Sequence, residues 1–293
     1  MSSPASPQQI LQSAIDAAES GDLVSLKDAL AQWDQVDHVE WFERSFAELF
    51  IEKRHSIPEK TLPLQRALNQ AAKNGHADVV AHLLEKGCAV TAPAVRYAFV
   101  RRHWDVAQVY LDCGWDINAP LEGGNTCPIL KEIISSPERV RWCLEHGADP
   151  MFVSSGHNLS IAGAAADMAP VETFRLLKEH GADFTRTNAL HRAASSSRKA
   201  RTEVMAYLLD EAGVNINQFE YEHDPDHFRD GPQRIGQGTA LHAAVAAKCT
   251  ENIKLLVERG IDKDLADAKG RKAVDRAREM NYAQGLALLE HEQ

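Results

Sequence analysis

A pair of apolar residues followed by a charged link and a glycine recurs along this chain, and that recurrence constrains its fold more than any other feature. It reads Leu83-Leu84-Glu85-Lys86-Gly87, Tyr110-Leu111-Asp112-Cys113-Gly114, Cys143-Leu144-Glu145-His146-Gly147, Leu176-Leu177-Lys178-Glu179-His180-Gly181, Leu208-Leu209-Asp210-Glu211-Ala212-Gly213 and Leu255-Leu256-Val257-Glu258-Arg259-Gly260. Successive glycines stand 27, 33, 34, 32 and 47 residues apart, and Leu256 to Leu289 again spans 33. A nearly fixed period of this size marks a repeat array, in which each unit packs only on its neighbours and ordinary domain counting fails.

Each unit has a physical logic. An Ala-rich segment such as Asn69–Gly75 comes first; its small residues let a helix lie close to its neighbours, and Gly75 ends it in a left-handed cap. A second helix follows, with apolar Val79, Val80, Leu83 and Leu84 at helical spacing. Short turn-forming stretches such as Gly181-Ala182-Asp183-Phe184 then lead on. A helix pair of this size cannot bury its apolar faces alone, so the units must stack.

These motifs resemble the ankyrin repeat family. Asn69 to Gly87 is similar to the family's two-helix core, and Thr239-Ala240-Leu241-His242-Ala243-Ala244 resembles its Thr-Pro-Leu-His-x-Ala motif with Ala240 in place of Pro. Asn188-Ala189-Leu190-His191-Arg192-Ala193 keeps the pattern with Asn as cap, while Thr126–Leu130 and Gly270–Ala277 are weaker versions. The resemblance implies an all-α solenoid of helix pairs linked by short hairpin fingers, about eight units counting the two caps. Boundaries read at about 8–35, 63–90, 91–118, 119–150, 151–184, 185–217, 236–264 and 265–293. Residues 1–7 are expected to be a disordered N-terminus and 8–293 one domain. The resemblance also places His191, His242 and His76 in structural roles, the first two bonding backbone of a neighbouring hairpin.

Charge and composition exclude several functions. The balance of 32 Lys+Arg against 42 Asp+Glu leaves −10, which argues against nucleic acid because phosphate would be repelled over most of the surface. No run of eighteen apolar residues exists, so no membrane span is expected, and the polar stretch before Ile10 is wrong for a secretory signal. Cys88, Cys113, Cys127, Cys143 and Cys249 are odd in number and form no CxxC, which reads as reduced cysteines in the cytoplasm or nucleus.

Departures from the repeat locate what is particular to this chain. An insertion at 36–62 carries Trp41, Phe42, Phe46, Leu49 and Phe50 on one helical face, either covering the end of the stack or anchoring a partner. The spacing of 27 between Gly87 and Gly114 means that unit three has lost part of its finger. A longer acidic insertion spans 218–235, with two prolines and a glycine that forbid a continuing helix. It reads either as a solvated loop or as an extended finger that binds. Its His223-x-Asp-x-His227 spacing is interrupted by Pro225, so no metal is expected there.

No nucleophile elbow, phosphate loop or dinucleotide fingerprint occurs; Gly123-Gly124 stands alone, and Ser195-Ser196-Ser197-Arg198-Lys199-Ala200-Arg201 reads as a polar extension between helices. The chain is therefore expected to be non-enzymatic, without cofactor or small-molecule substrate, and to bind a protein or peptide on the concave, finger-lined face that the resemblance implies. The rival reading is a regulatory or substrate-recognition subunit whose partner carries the activity. The candidate contacts are Arg96, Tyr97, Arg101, Arg102, Trp104 and Trp115 of unit three, with His103 beside them, and Phe219, Tyr221 and Phe228 of the acidic insertion. Arginine among aromatics is the composition of interface hot spots. A merely solvated face is the alternative.

Overall fold

The computed structural model describes residues 5–36, 63–121, 127–153, 160–196, 201–223 and 238–290. The helix expected at 36–62 lies outside them except for Val36, as do His227 and Phe228. The chain divides into two compact blocks, Met1–Ile129 and Leu130–Gln293. Sixteen α-helices among the described residues fall into eight consecutive pairs, the eight units read from the glycine period.

Block one holds α1 (Pro7–Ser20) and α2 (Leu23–Trp33), α3 (Gln65–Asn74) and α4 (Ala77–Glu85), and α5 (Ala92–Arg101) and α6 (Trp104–Asp112). First helices pack on first helices, α1 on α3 and α3 on α5, and second helices likewise, α2 on α4 and α4 on α6. Alanine makes the first row possible: Ala14, Ala18, Ala67, Ala71, Ala94 and Ala98 are wholly buried between helices. The larger side chains, Leu26, Leu30, Trp33, Leu83, Phe99 and Tyr110, fill the layer behind. Each such burial contributes about 1.5–3 kcal/mol.

The turn between the helices of a pair carries an interlock. Gly21 and Gly75 end α1 and α3 with φ of 77° and 83°. A Cβ on Gly21 would lie 2.5 Å from the imidazole of His76, and one on Gly75 would lie 2.6 Å from that of His103. Glycine is therefore required twice over, for the left-handed backbone and for the ring pressed against it. In return His76 Nε2 bonds Glu19 O and His103 Nε2 bonds Lys73 O, both at 3.0 Å. Each histidine satisfies a carbonyl that the end of the preceding first helix leaves orphaned.

Block two holds α7 (Ile129–Glu132), which begins at the block boundary, and α8 (Pro137–Glu145), then α9 (Ile161–Met168) and α10 (Val171–Glu179), α11 (Ala189–Ala194) and α12 (Arg201–Asp210), α13 (Ala240–Ala246) and α14 (Thr250–Glu258), and α15 (Ala273–Glu279) and α16 (Ala283–Glu290). The two-row stacking is the same. Repeat four, one of the two weaker versions of the motif, has the shortest first helix. Isolated antiparallel bridges Val153–Ser160, Phe219–Thr239 and Ala266–Lys272 close three fingers.

Other side chains take over the histidine's task here. Thr173 Oγ1 donates to Ile134 O at 3.2 Å. Asn252 Nδ2 donates to Ala193 O, Ala194 O and Ser196 O at 3.2, 2.9 and 3.1 Å. The guanidinium of Arg201 does the same for the end of α9. The stretch expected to be a polar extension thus ends in a buried arginine, because α9 stops at Ala169 and leaves Ala166 O and Ala169 O to a donor from the next repeat.

Candidate binding surface

Repeat three has almost no finger, and what remains is tied down. Gln65, itself buried, donates to Ala89 O at 2.7 Å and accepts from Ala89 N at 3.1 Å, and Thr91 Oγ1 bonds Asn69 Oδ1 at 3.3 Å. The chain then turns directly into α5, with Pro93 in its first turn. Ala94, Val95, Ala98 and Phe99 face inward, which leaves Tyr97 and Val100 outward at 37% and 57% exposure.

The unit-three candidates divide into an outer and an inner group. Tyr97, Arg101 and Arg102 are exposed and Arg96 is half-buried. Arg102 takes the left-handed cap, φ 62°, at the position that repeats one and two give to glycine. Trp104 and Trp115 are half-buried: Trp104 meets Phe99 edge-on at 5.9 Å, and Trp115 lies 6.1 Å from Phe99 and 6.3 Å from Tyr110. They brace the repeat more than they present it. His103, expected beside the cluster, is held by its bond to Lys73 O. Val100 escaped the sequence reading; its place three residues after Tyr97 on one helical face was the available signal.

In the acidic insertion, read either as a solvated loop or as an extended finger, the described residues 218–223 are tied to neighbouring repeats: Gln218 is buried, Glu222 exposed and the rest half-buried. Phe219 pairs with Thr239, its N–H donating to Glu222 Oε2 at 3.0 Å, and Tyr221 N–H donates to Asn188 Oδ1 at 2.8 Å. Glu220 N–H donates to Gly238 O at 3.0 Å. Burial pushes the Glu220 carboxyl up to about 7, against the pull of Arg192 and Arg276. Asp224 onward, with His227 and Phe228, lies outside the described residues, so only Phe219 and Tyr221 of this candidate group are placed.

His242 fills its expected role: Nε2 bonds Arg271 O of the next finger at 3.0 Å, and Nδ1 accepts from Thr239 N–H at 3.2 Å. His191 occupies the equivalent place, but the backbone of Gln218 and Gly238 approaches its ring without proper hydrogen-bond geometry at either nitrogen. Burial drives its pKa down to about 4.

The two buried groups have opposite pH signatures. Folded His191 refuses a proton that the unfolded chain accepts near its ordinary value of 6.5, so its contribution is complete above that value and is lost as pH falls towards 4. Folded Glu220 keeps a proton that the unfolded chain releases near 4.5, so it costs stability as pH rises to about 7. In urea titrations between pH 4 and 8, Glu220→Gln should gain on the parent as pH rises through 5–7, and His191→Gln should lose less than the parent on acidification. Parallel pH curves for parent and both variants would contradict these assignments.

The described residues contain no cluster of three or more His, Cys, Asp or Glu arranged to hold a metal ion, and no helix long and apolar enough to cross a membrane. Buried Cys88 has its thiol pushed up to about 12, so it is not a nucleophile at neutral pH.

The ankyrin repeat model matches residues 238–268, the seventh helix pair with its fingers. Alpha-latrotoxin-Lg1a of Latrodectus geometricus is 33% identical over 111 residues, covering 37% of this chain; the chain spans 7% of that relative's length. Among solved structures, the human ASB11 ankyrin repeat domain aligns at TM-score 0.44 and 20% identity, covering 96% of this chain and 98% of that one. The ankyrin repeat domain of Bcl-3 aligns at 0.48 and 18%, covering 77% and 86%.

Proposed function

We propose that this chain, an ankyrin repeat protein, is a non-enzymatic module that binds a protein or peptide along its first helices and fingers. Ankyrin repeats are in general protein–protein interaction modules, and one observation carries the reading to this surface. Five large apolar side chains are exposed among the described residues, and four of them belong to first helices or fingers of their own block: Tyr97 and Val100 on α5 in block one, Val153 in a finger and Met168 at the end of α9 in block two. The fifth, Val24, is on α2. Exposed apolar side chains that recur on first helices and fingers support a partner covering that row in each block. Because the stacked helices are already ordered, little entropy is lost on docking, and a few anchors can supply most of the affinity.

The proposal includes no cofactor, no small-molecule substrate and no nucleic acid, and a cytoplasmic or nuclear setting in keeping with cysteines that are odd in number and form no CxxC. The test is affinity capture with the tagged chain, the recovered partner then being titrated in purified form. Binding should be lost with Tyr97→Glu/Val100→Glu and kept with Val24→Glu. A chain that recovers no partner, or one whose binding fails only with Val24→Glu, would contradict the proposal.

A further inference from the structure

We infer that the first-helix face of repeats two and three takes an acidic segment of its partner, with an apolar anchor seated between the charges; this rests on the binding-module reading and adds the partner's chemistry. Charge in block one is sorted by row. α3 carries Arg66 and Lys73, and α5 carries Arg96 and Arg101 with Arg102 as its cap, and neither helix has a carboxylate. The second helices behind them are acidic, with Asp78 and Glu85 on α4 and Asp105 and Asp112 on α6. On a chain of net −10, this is a basic face backed by an acidic one.

The register of the stack brings these charges together. His103 follows His76 by 27 residues, and each bonds the same place on the helix before it. The same offset sets Arg66, Gln70 and Lys73 of α3 beside Pro93, Tyr97 and Val100 of α5, and these two helices pack directly. Tyr97 and Val100 therefore lie next to the basic row, with Arg101 one residue on. The corresponding positions on α1 include Asp16 and Glu19, which repel a carboxylate and bound the patch on that side.

Several arginines of block two are held in ion pairs: Arg175 with Glu211, Arg192 with Asp167, Arg259 with Asp210, Arg271 with Asp267 and Arg278 with Glu290. Arg66, Lys73 and Arg101 form no ion pair among the described residues. Unpaired positive charge around exposed apolar side chains complements carboxylates flanking an aromatic or aliphatic anchor. A nucleic acid would use the cations and could stack on Tyr97, but it would leave Val100 uncovered and the acidic second row would repel it.

The test measures three probes by fluorescence anisotropy against the full chain: a short glutamate-rich peptide with a central Leu-Trp pair, the same peptide with lysine for glutamate, and a single-stranded oligothymidylate. The acidic peptide should bind and weaken with salt. Arg66→Glu/Lys73→Glu/Arg101→Glu, all at exposed or half-buried positions and checked for an unchanged unfolding midpoint, should weaken it by about tenfold or more. That variant should instead take the lysine-rich peptide. Tyr97→Ser/Val100→Ser should lower the affinity with the salt slope retained. Failure of the acidic peptide to bind, equal binding to parent and reversal variant, or tighter binding of the oligonucleotide would overturn the inference. A cellular partner that keeps its affinity for the reversal variant would defeat this placement alone and leave the binding-module reading standing.

Discussion

Arg201→Met should destabilise block two by about 2–5 kcal/mol, the largest effect expected of a single substitution here. The side chain is 3% exposed, at the start of α12. Its Nη1 donates to Ala165 O at 3.2 Å and Ala166 O at 2.7 Å, and its Nη2 to Ala169 O at 2.8 Å. Methionine conserves most of the volume but leaves Ala166 O and Ala169 O without this donor, each costing about 1–3 kcal/mol, less than additively, while Ala165 O keeps its bond from Ala169 N–H at 2.8 Å. Domains of this kind are stable by only about 5–15 kcal/mol, so the loss approaches the whole margin. Lysine should restore part of it, since an ammonium can reach one carbonyl but lacks the planar fork that spans three. Urea unfolding followed by circular dichroism measures this. A midpoint that does not move with Arg201→Met would mean that the guanidinium is not what closes α9.

His242→Ala should cost less, about 1–3 kcal/mol, and in a way that separates structure from binding. With Nδ1 accepting from Thr239 N–H, the proton sits on Nε2, which donates to Arg271 O. One ring thus caps α13 and ties repeat seven to the finger of repeat eight, at 1% exposure. Alanine removes both bonds and leaves Arg271 O with only its bond from Asp267 N–H at 2.8 Å. The unfolding midpoint should fall while partner affinity in the folded fraction is retained. Unchanged stability with lost binding would reverse the assignment and make His242 a contact residue.

The fold was legible because its determinants are periodic. Apolar pairs closed by glycine, alanine at the crowded first-helix positions, and His76 and His242 in their motif places each repeat along the chain and so stand out from a single sequence. What could not be read has no period. Arg201 ends a run of serine and basic residues that looks solvated, and only the stack shows that its side chain turns inward to the end of α9. Gln65 looks like an ordinary helix-surface residue until the shortened finger folds back on it. Of the proposed surface, Tyr97 and Arg101 were found by composition, whereas Arg66 and Lys73 belong to a different repeat and join them only through the register of α3 against α5. Trp104 and Trp115 drew attention as aromatics, but Phe99 and Tyr110 take up their inner edges.

Hydrogen–deuterium exchange of the full chain with and without its captured partner tests the central claim most directly, because it reports every helix at once. The account predicts added protection on α3 and α5 and in the fingers and first helices of block two, with α2, α4 and α6 unchanged. Protection confined to those second helices would contradict it.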